Sequence, residues 1–144
     1  MVETIAGIVT AVICILLSQM LAKYFPTKLM AATLLVAIAF IYVGFSLKEN
    51  PINLIILEVA VALGLYFLAI VGYTRNSLLI AYGILFHGVW DIFHHKGLPI
   101  QTAIPGYWPT FCFVVDVIDG LFFLFVFKAQ KRHNPVTLKP FVEA

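Results

Sequence analysis

Five runs of apolar residues, separated by short polar turns, limit what this chain can fold into. They occupy residues 4–24, 28–47, 52–73, 78–95 and 108–127. Each run is close to the roughly 20 residues that an α-helix needs to cross a bilayer. Only 11% of the 144 residues are charged, whereas soluble domains carry about 25%. The sequence therefore predicts an all-α integral membrane bundle of about five transmembrane helices in one domain, followed by a basic tail at 128–144.

The basic residues are divided unevenly between the two sides of this bundle. Five spans would place the termini on opposite sides, with seven basic residues on the C-terminal side and two on the other. The seven are Lys23, Lys28, Arg75, Lys128, Lys131, Arg132 and Lys139, and the two are Lys48 and Lys96. Cytoplasmic loops of membrane proteins carry the positive excess. We therefore expect the N-terminus outside and the C-terminal tail in the cytoplasm.

Ionisable residues concentrate between His87 and Asp119, although apolar sequence flanks this stretch on both sides. It holds three of the four histidines and three of the seven acidic residues. His87, Asp91 and His94 stand at i, i+4 and i+7, so they share one helix face. Asp116 and Asp119 stand at i and i+3 and share another. Inside a membrane such residues persist where they pair, bind a ligand or move charge.

Glu58 joins these residues at a common depth. It lies about six residues into the third run, while His87 precedes the end of the fourth by about eight and Asp116 follows the start of the fifth by about eight. At 1.5 Å of rise per residue, all three lie roughly 9–12 Å from the same, outer face. Because lipid cannot satisfy polar groups, we expect helices three, four and five to be mutual neighbours around one polar pocket.

The residue types in this pocket favour a metal site. Imidazole and carboxylate are ligands of zinc, iron and copper, and we favour zinc slightly. A divalent cation would also offset the cost of burying aspartates. The predicted ligands are His87, Asp91, His94 and Asp116, with Glu58 and Asp119 as further or supporting ligands. This predicts a small membrane metalloprotein, and an enzymatic role would involve a lipid-soluble substrate.

Three alternatives stay open at this point. The pocket could be metal-free and do acid/base chemistry, with Glu58 and His87 as the natural pair. It could consist only of hydrogen bonds that bridge helices. The chain could also be an accessory or assembly subunit of a larger membrane complex. Membrane lipid, other membrane subunits or further copies of the chain are the expected partners. Nucleic acid is not expected, because the net charge is only +2 and no basic cluster is interleaved with aromatic residues.

Two segments carry a resemblance to known sequences. HGVWDIFHH at 87–95 and PGYWPTFCFVVDVIDG at 105–120 resemble a pattern found in a family of small, uncharacterised polytopic bacterial membrane proteins. The pattern can be written HGxWDxxHH followed by PxYWPxFCxxxDxxxG. The resemblance implies a multi-pass helical fold and no particular activity. Cys112 lies within it, and we interpret Cys112 and Cys14 as small buried hydrophobic residues.

Overall fold

The computed structural model describes residues 1–48, 51–100 and 103–133. Over these ranges the chain forms five helices and no strand. They are α1 (Val2–Leu21), α2 (Thr27–Ser46), α3 (Ile52–Thr74), α4 (Leu78–Ile92) and α5 (Trp108–His133). The predicted all-α membrane fold is confirmed, because four of these helices are long and apolar enough to cross a membrane.

Prolines and polar residues determine where several helices begin. Pro26 directly precedes α2 and Pro51 directly precedes α3, and proline cannot extend a helix backwards because it lacks the N–H group. Before α4, the side chain of Asn76 accepts a hydrogen bond from the N–H of Leu78 at 3.3 Å. The turns therefore fall near the predicted positions.

The ends of α4 and α5 differ from the predicted ones. α4 stops at Ile92, so His94 and His95 lie in the following turn. α5 continues to His133 and includes the first six residues of the predicted tail. The remainder of that tail, 134–144 with Lys139, lies outside the described residues.

The shorter α4 has a structural consequence. Its 15 residues extend about 22 Å, which is less than the roughly 30 Å of bilayer hydrocarbon. The chain after it folds back, with the N–H of Ile100 donating to the carbonyl of Phe93 at 3.2 Å. Ile100 is buried. The turn after α4 thus packs against the end of this short helix.

α4 lies at the centre of the helix packing. It packs most extensively against α5 and also contacts α3 and α2, while α2 packs on α3 and α1 packs on α5. α3 and α5 do not pack extensively on each other, so the expectation that helices three, four and five are mutual neighbours is wrong for this pair. The apolar core has buried residues from four helices, among them Leu35, Leu65, Ile80, Ile84 and Phe123.

Candidate metal centre

Two helices each contribute a pair of potential metal ligands one turn apart. α4 carries His87 and Asp91, and α5 carries Cys112 and Asp116, both at i and i+4. This spacing places both members of a pair on one helix face. One ligand atom from each of the four side chains lies within 4.8 Å of the others, and all four are buried. We call these four residues the donor group, and they could hold a metal ion.

Two glycines allow α4 and α5 to approach closely at this level. A Cβ added at Gly88 would lie 3.2 Å from the Cβ of Asp116, and one added at Gly120 would lie 2.7 Å from Cδ2 of Leu85. The two helices run antiparallel, because Gly88 lies opposite Asp116 and Leu85 lies opposite Gly120. Small residues at such contacts let membrane helices pack backbone to backbone. The donor side chains therefore meet at short range.

The imidazole of His87 lies beside both aspartates of the donor group. Its Nδ1 is 2.6 Å from Oδ2 of Asp116 and 3.7 Å from Oδ1 of Asp91. Tyr42, from α2, donates its hydroxyl to Oδ1 of Asp91 at 2.5 Å. Tyr42 therefore orients one carboxylate oxygen and leaves the other oxygen of Asp91 available.

Two atoms of the donor group have no hydrogen-bond partner among the described residues. They are Nε2 of His87 and Oδ2 of Asp91. Most buried polar atoms in proteins do have such a partner. Two carboxylates this close also repel each other when both are ionised. A bound cation would coordinate the lone pairs and offset the repulsion, so the residues present fit a metal ion.

A second buried group, the Glu58 cluster, consists of Glu58, Trp90 and His94. Oε1 of Glu58 is 2.7 Å from Nε2 of His94, and Nε1 of Trp90 donates to Oε2 of Glu58 at 3.2 Å. Nδ1 of His94 lies 3.0 Å from the carbonyl oxygen of Trp90. Every side-chain nitrogen and oxygen in this cluster is thus engaged by another member.

The hydrogen bonds of the Glu58 cluster restrict its protonation. A carbonyl oxygen can only accept, so Nδ1 of His94 must carry a proton. Nε2 of His94 is engaged by Oε1 of Glu58 at 2.7 Å. No lone pair on His94 is left for a metal ion in this arrangement.

The ring of Tyr42 lies against both groups. Its centroid is 4.5 Å from that of His94 and 5.3 Å from that of His87. The two groups are therefore neighbours that contact the same aromatic ring, although they do not share a hydrogen bond.

Asp119 lies outside both groups. It is 0% exposed, and neither of its carboxylate oxygens has a hydrogen-bond partner among the described residues. It follows Asp116 by three residues, or about 4.5 Å along α5.

The six residues predicted as ligands thus have three different positions. His87, Asp91 and Asp116 belong to the donor group, Glu58 and His94 pair with each other, and Asp119 lies one turn away. Both cysteines are free thiols, and Cys112 belongs to the donor group.

Cys112 and Tyr42 are the site residues that sequence reasoning missed. Cys112 precedes Asp116 by four residues, which is the spacing that links His87 to Asp91. The repeated i, i+4 spacing could have identified Cys112 as a potential ligand from the sequence. Tyr42 is an aromatic residue in an apolar run, and nothing in its neighbourhood in the sequence indicates that it faces Asp91.

The comparisons with known proteins agree with the resemblance seen in the sequence. Residues 2–130 match a family described as "Family of unknown function (DUF6010)". No curated protein and no solved structure matches the chain. The match covers α1 to α4 and nearly all of α5, including every residue of the donor group and of the Glu58 cluster. This chain therefore belongs to the DUF6010 family.

Proposed function

We propose that this protein is a multi-pass membrane metalloprotein that binds one divalent cation at His87, Asp91, Cys112 and Asp116. The observation that carries the proposal is the convergence of four buried donor side chains within 4.8 Å, two of them with an atom that lacks a described partner. A hydrogen-bonded bridge between helices would not need these atoms to remain unpaired.

Zinc is the cation that this donor group fits best. Thiolate, imidazole and carboxylate are all zinc ligands, and protein zinc sites are usually four-coordinate. A thiolate also makes magnesium or calcium poor candidates, since those ions take oxygen ligands. Iron and copper are the next candidates, as both accept imidazole.

The number of donors favours binding over catalysis. Catalytic zinc sites commonly use three protein ligands and keep one position for water or substrate, whereas closed sites have four. The donor group supplies four side chains. We therefore favour a site that holds or passes on a cation, and a reaction on a lipid-soluble substrate would require one ligand to leave.

Each residue has a distinct role in this proposal. Cys112 and Asp116 supply negative charge from α5, and His87 supplies a neutral nitrogen from α4. Asp91 supplies the second carboxylate, which the hydroxyl of Tyr42 holds in place. A partner that fixes a ligand in this way raises metal affinity.

The positive charges of the turns favour one orientation for the site. With the N-terminus outside, the donor group would lie nearer the outer face, since Asp116 is about 12 Å along α5 from Trp108. A Lys139→Cys variant should then react with a membrane-impermeant thiol reagent only from the cytoplasmic side. Labelling from outside would reverse the orientation.

Metal analysis of the purified protein tests the proposal. Wild type purified in detergent should carry one divalent cation per chain, and His87→Ala should lose it. His95→Ala is the matched control, because it removes an imidazole from the same segment without touching the donor group. Equal metal content in wild type and His87→Ala would contradict the proposal, and metal-free wild type that co-purifies with unrelated chains would favour the accessory-subunit alternative.

A further inference from the structure

A cation that binds at the donor group needs a route through apolar surroundings, because the four side chains are buried. Two features of α1 and α5 mark such a route: a cavity at one end of α1, and the unpartnered carboxylate of Asp119, which lies along α5 between that cavity and Asp116. The inference rests on the proposed metal site and concerns how that site is filled.

The cavity lies between the end of α1, the start of α2 and the second half of α5. It has a volume of about 210 Å³, and its lining includes Ser18, Gln19, Ala22 and Phe122. Gln19 and Ala22 are exposed, so the cavity opens at the protein surface. Ser18, Gln19 and also Thr27 add polar side chains to the lining, so a hydrated cation would meet hydrogen-bonding groups there.

Asp119 lies between this cavity and the donor group. On α5, Phe122 of the cavity follows Asp119 by three residues, and Asp119 follows Asp116 by three. On α1, Gly7 lies against Phe111 and Val114 of α5, and Ser18 of the cavity stands about three turns beyond Gly7. α1 and α5 therefore run in the same direction here, and each turn brings the lining closer to the donor group.

The Asp119 carboxylate is suited to a transient contact with a cation. It is 0% exposed, and neither oxygen has a described hydrogen-bond partner. A carboxylate in such surroundings is costly unless something compensates its charge. The nearby Lys23 and Lys28 do not line the cavity, and their Nζ atoms lie over the rings of Tyr24 and Tyr73.

The other end of α1 offers a different environment. A cavity of about 410 Å³ there is lined by Val2, Ala6, Tyr107, Trp108 and Phe111, with Glu3 as its only acidic side chain. This cavity lies beside the first turn of α5, whereas the unpartnered carboxylate of Asp119 lies on the other side of the donor group along α5.

We propose that Asp119 is a transfer ligand through which a divalent cation moves from the cavity beside Ser18 and Gln19 to the donor group. The cation would exchange water for the oxygen atoms of the cavity, then for the carboxylate of Asp119, and finally for Asp116 and the other donors. Asp119 would then affect how fast the site fills more than how tightly it holds the ion.

Loading kinetics test this role. Metal-free protein in detergent is mixed with Co²⁺, and the visible absorbance of the bound ion is followed over time. Asp119→Asn should load more slowly than wild type and should reach the same final occupancy. Unchanged loading kinetics in Asp119→Asn would overturn the inference while leaving the metal site intact.

A matched pair of variants on α1 tests which of the two cavities the cation passes through. Ala22→Phe fills the cavity beside Asp119, and Ala6→Phe fills the opposite cavity; both alanines are exposed. Ala22→Phe should slow loading and Ala6→Phe should leave it near the wild-type rate. The reverse result would place the route at the other end of α1. Wild type that binds no Co²⁺ at all would overturn both the proposed function and this route.

Discussion

The donor group and the Glu58 cluster contain similar chemistry but differ in how their polar atoms are used. Both are buried, both combine histidine with carboxylate, and both contact the ring of Tyr42. In the Glu58 cluster each side-chain nitrogen and oxygen has a partner within the cluster. In the donor group, Nε2 of His87 and Oδ2 of Asp91 have none among the described residues. The donor group therefore has buried polar atoms that could bind a ligand, whereas those of the Glu58 cluster are already engaged by one another.

The largest expected effect is a difference between substitutions of His94 and of His87. His94→Ala leaves Glu58 buried without its partner, and breaking a buried pair in this way costs about 3–5 kcal/mol. We expect a large fall in the thermal midpoint of the detergent-solubilised protein, with metal content retained in the folded fraction. His87→Ala also removes a buried partner, of Asp116 at 2.6 Å, so it should lower the thermal midpoint too, but with the metal lost from the folded fraction. Loss of metal in folded His94→Ala would mean that the two groups act as one site.

An intermediate effect is expected at the residue that contacts both groups. Tyr42→Phe removes the hydroxyl that donates to Asp91 and retains the ring between the two histidines. Losing a partner that orients a ligand lowers metal affinity about 10–100-fold. Competition titration against a chelator of known affinity would measure this change. An unchanged affinity would show that Asp91 does not coordinate the ion or needs no orienting partner.

The smallest effect concerns the spacing of α4 and α5. Gly88→Ala would place a Cβ 3.2 Å from that of Asp116, so the helices must separate by a few tenths of an ångström. We expect stability to fall by about 1 kcal/mol, near the low end of overpacking, and metal affinity to weaken. Gly64→Ala is the control, since nothing lies within 4 Å of its added Cβ; there the helix propensity of alanine should stabilise the protein slightly. Equal behaviour of the two variants would mean that close helix approach does not support the site.

Hydrophobic patterning carried most of the fold prediction. Apolar runs of span length, ended by Pro26, Pro51 and polar turns, predict helix number and type because the bilayer imposes both. The end of α4 was missed because Phe93, His94 and His95 continue the helical pattern, while the chain instead turns back at Gly97, which has a positive φ of 84°. The local sequence does not show that α4 ends at Ile92, because the end depends on how the following turn packs.

The sequence predicts which polar residues share one helix face, but not which helices bring their polar faces together. His87 with Asp91 could be paired from the sequence, and a common depth brought Asp116 to the same level. The separation of Glu58 and His94 into their own cluster depends on Trp90, whose indole and carbonyl occupy them. The hydrogen bond from Tyr42 to Asp91 depends on the position of α2 beside α4, and no pattern in the sequence predicts that helix contact.

The thiolate of Cys112 offers the most direct test of the metal site, because the protein has only one other cysteine, Cys14. Co²⁺ bound to a thiolate has a ligand-to-metal charge-transfer band in the near ultraviolet, which imidazole and carboxylate do not provide. We predict this band in Co²⁺-loaded wild type and in Cys14→Ser, and its loss in Cys112→Ser. A spectrum without the band in wild type, or one that Cys112→Ser leaves unchanged, would contradict a cation held by His87, Asp91, Cys112 and Asp116.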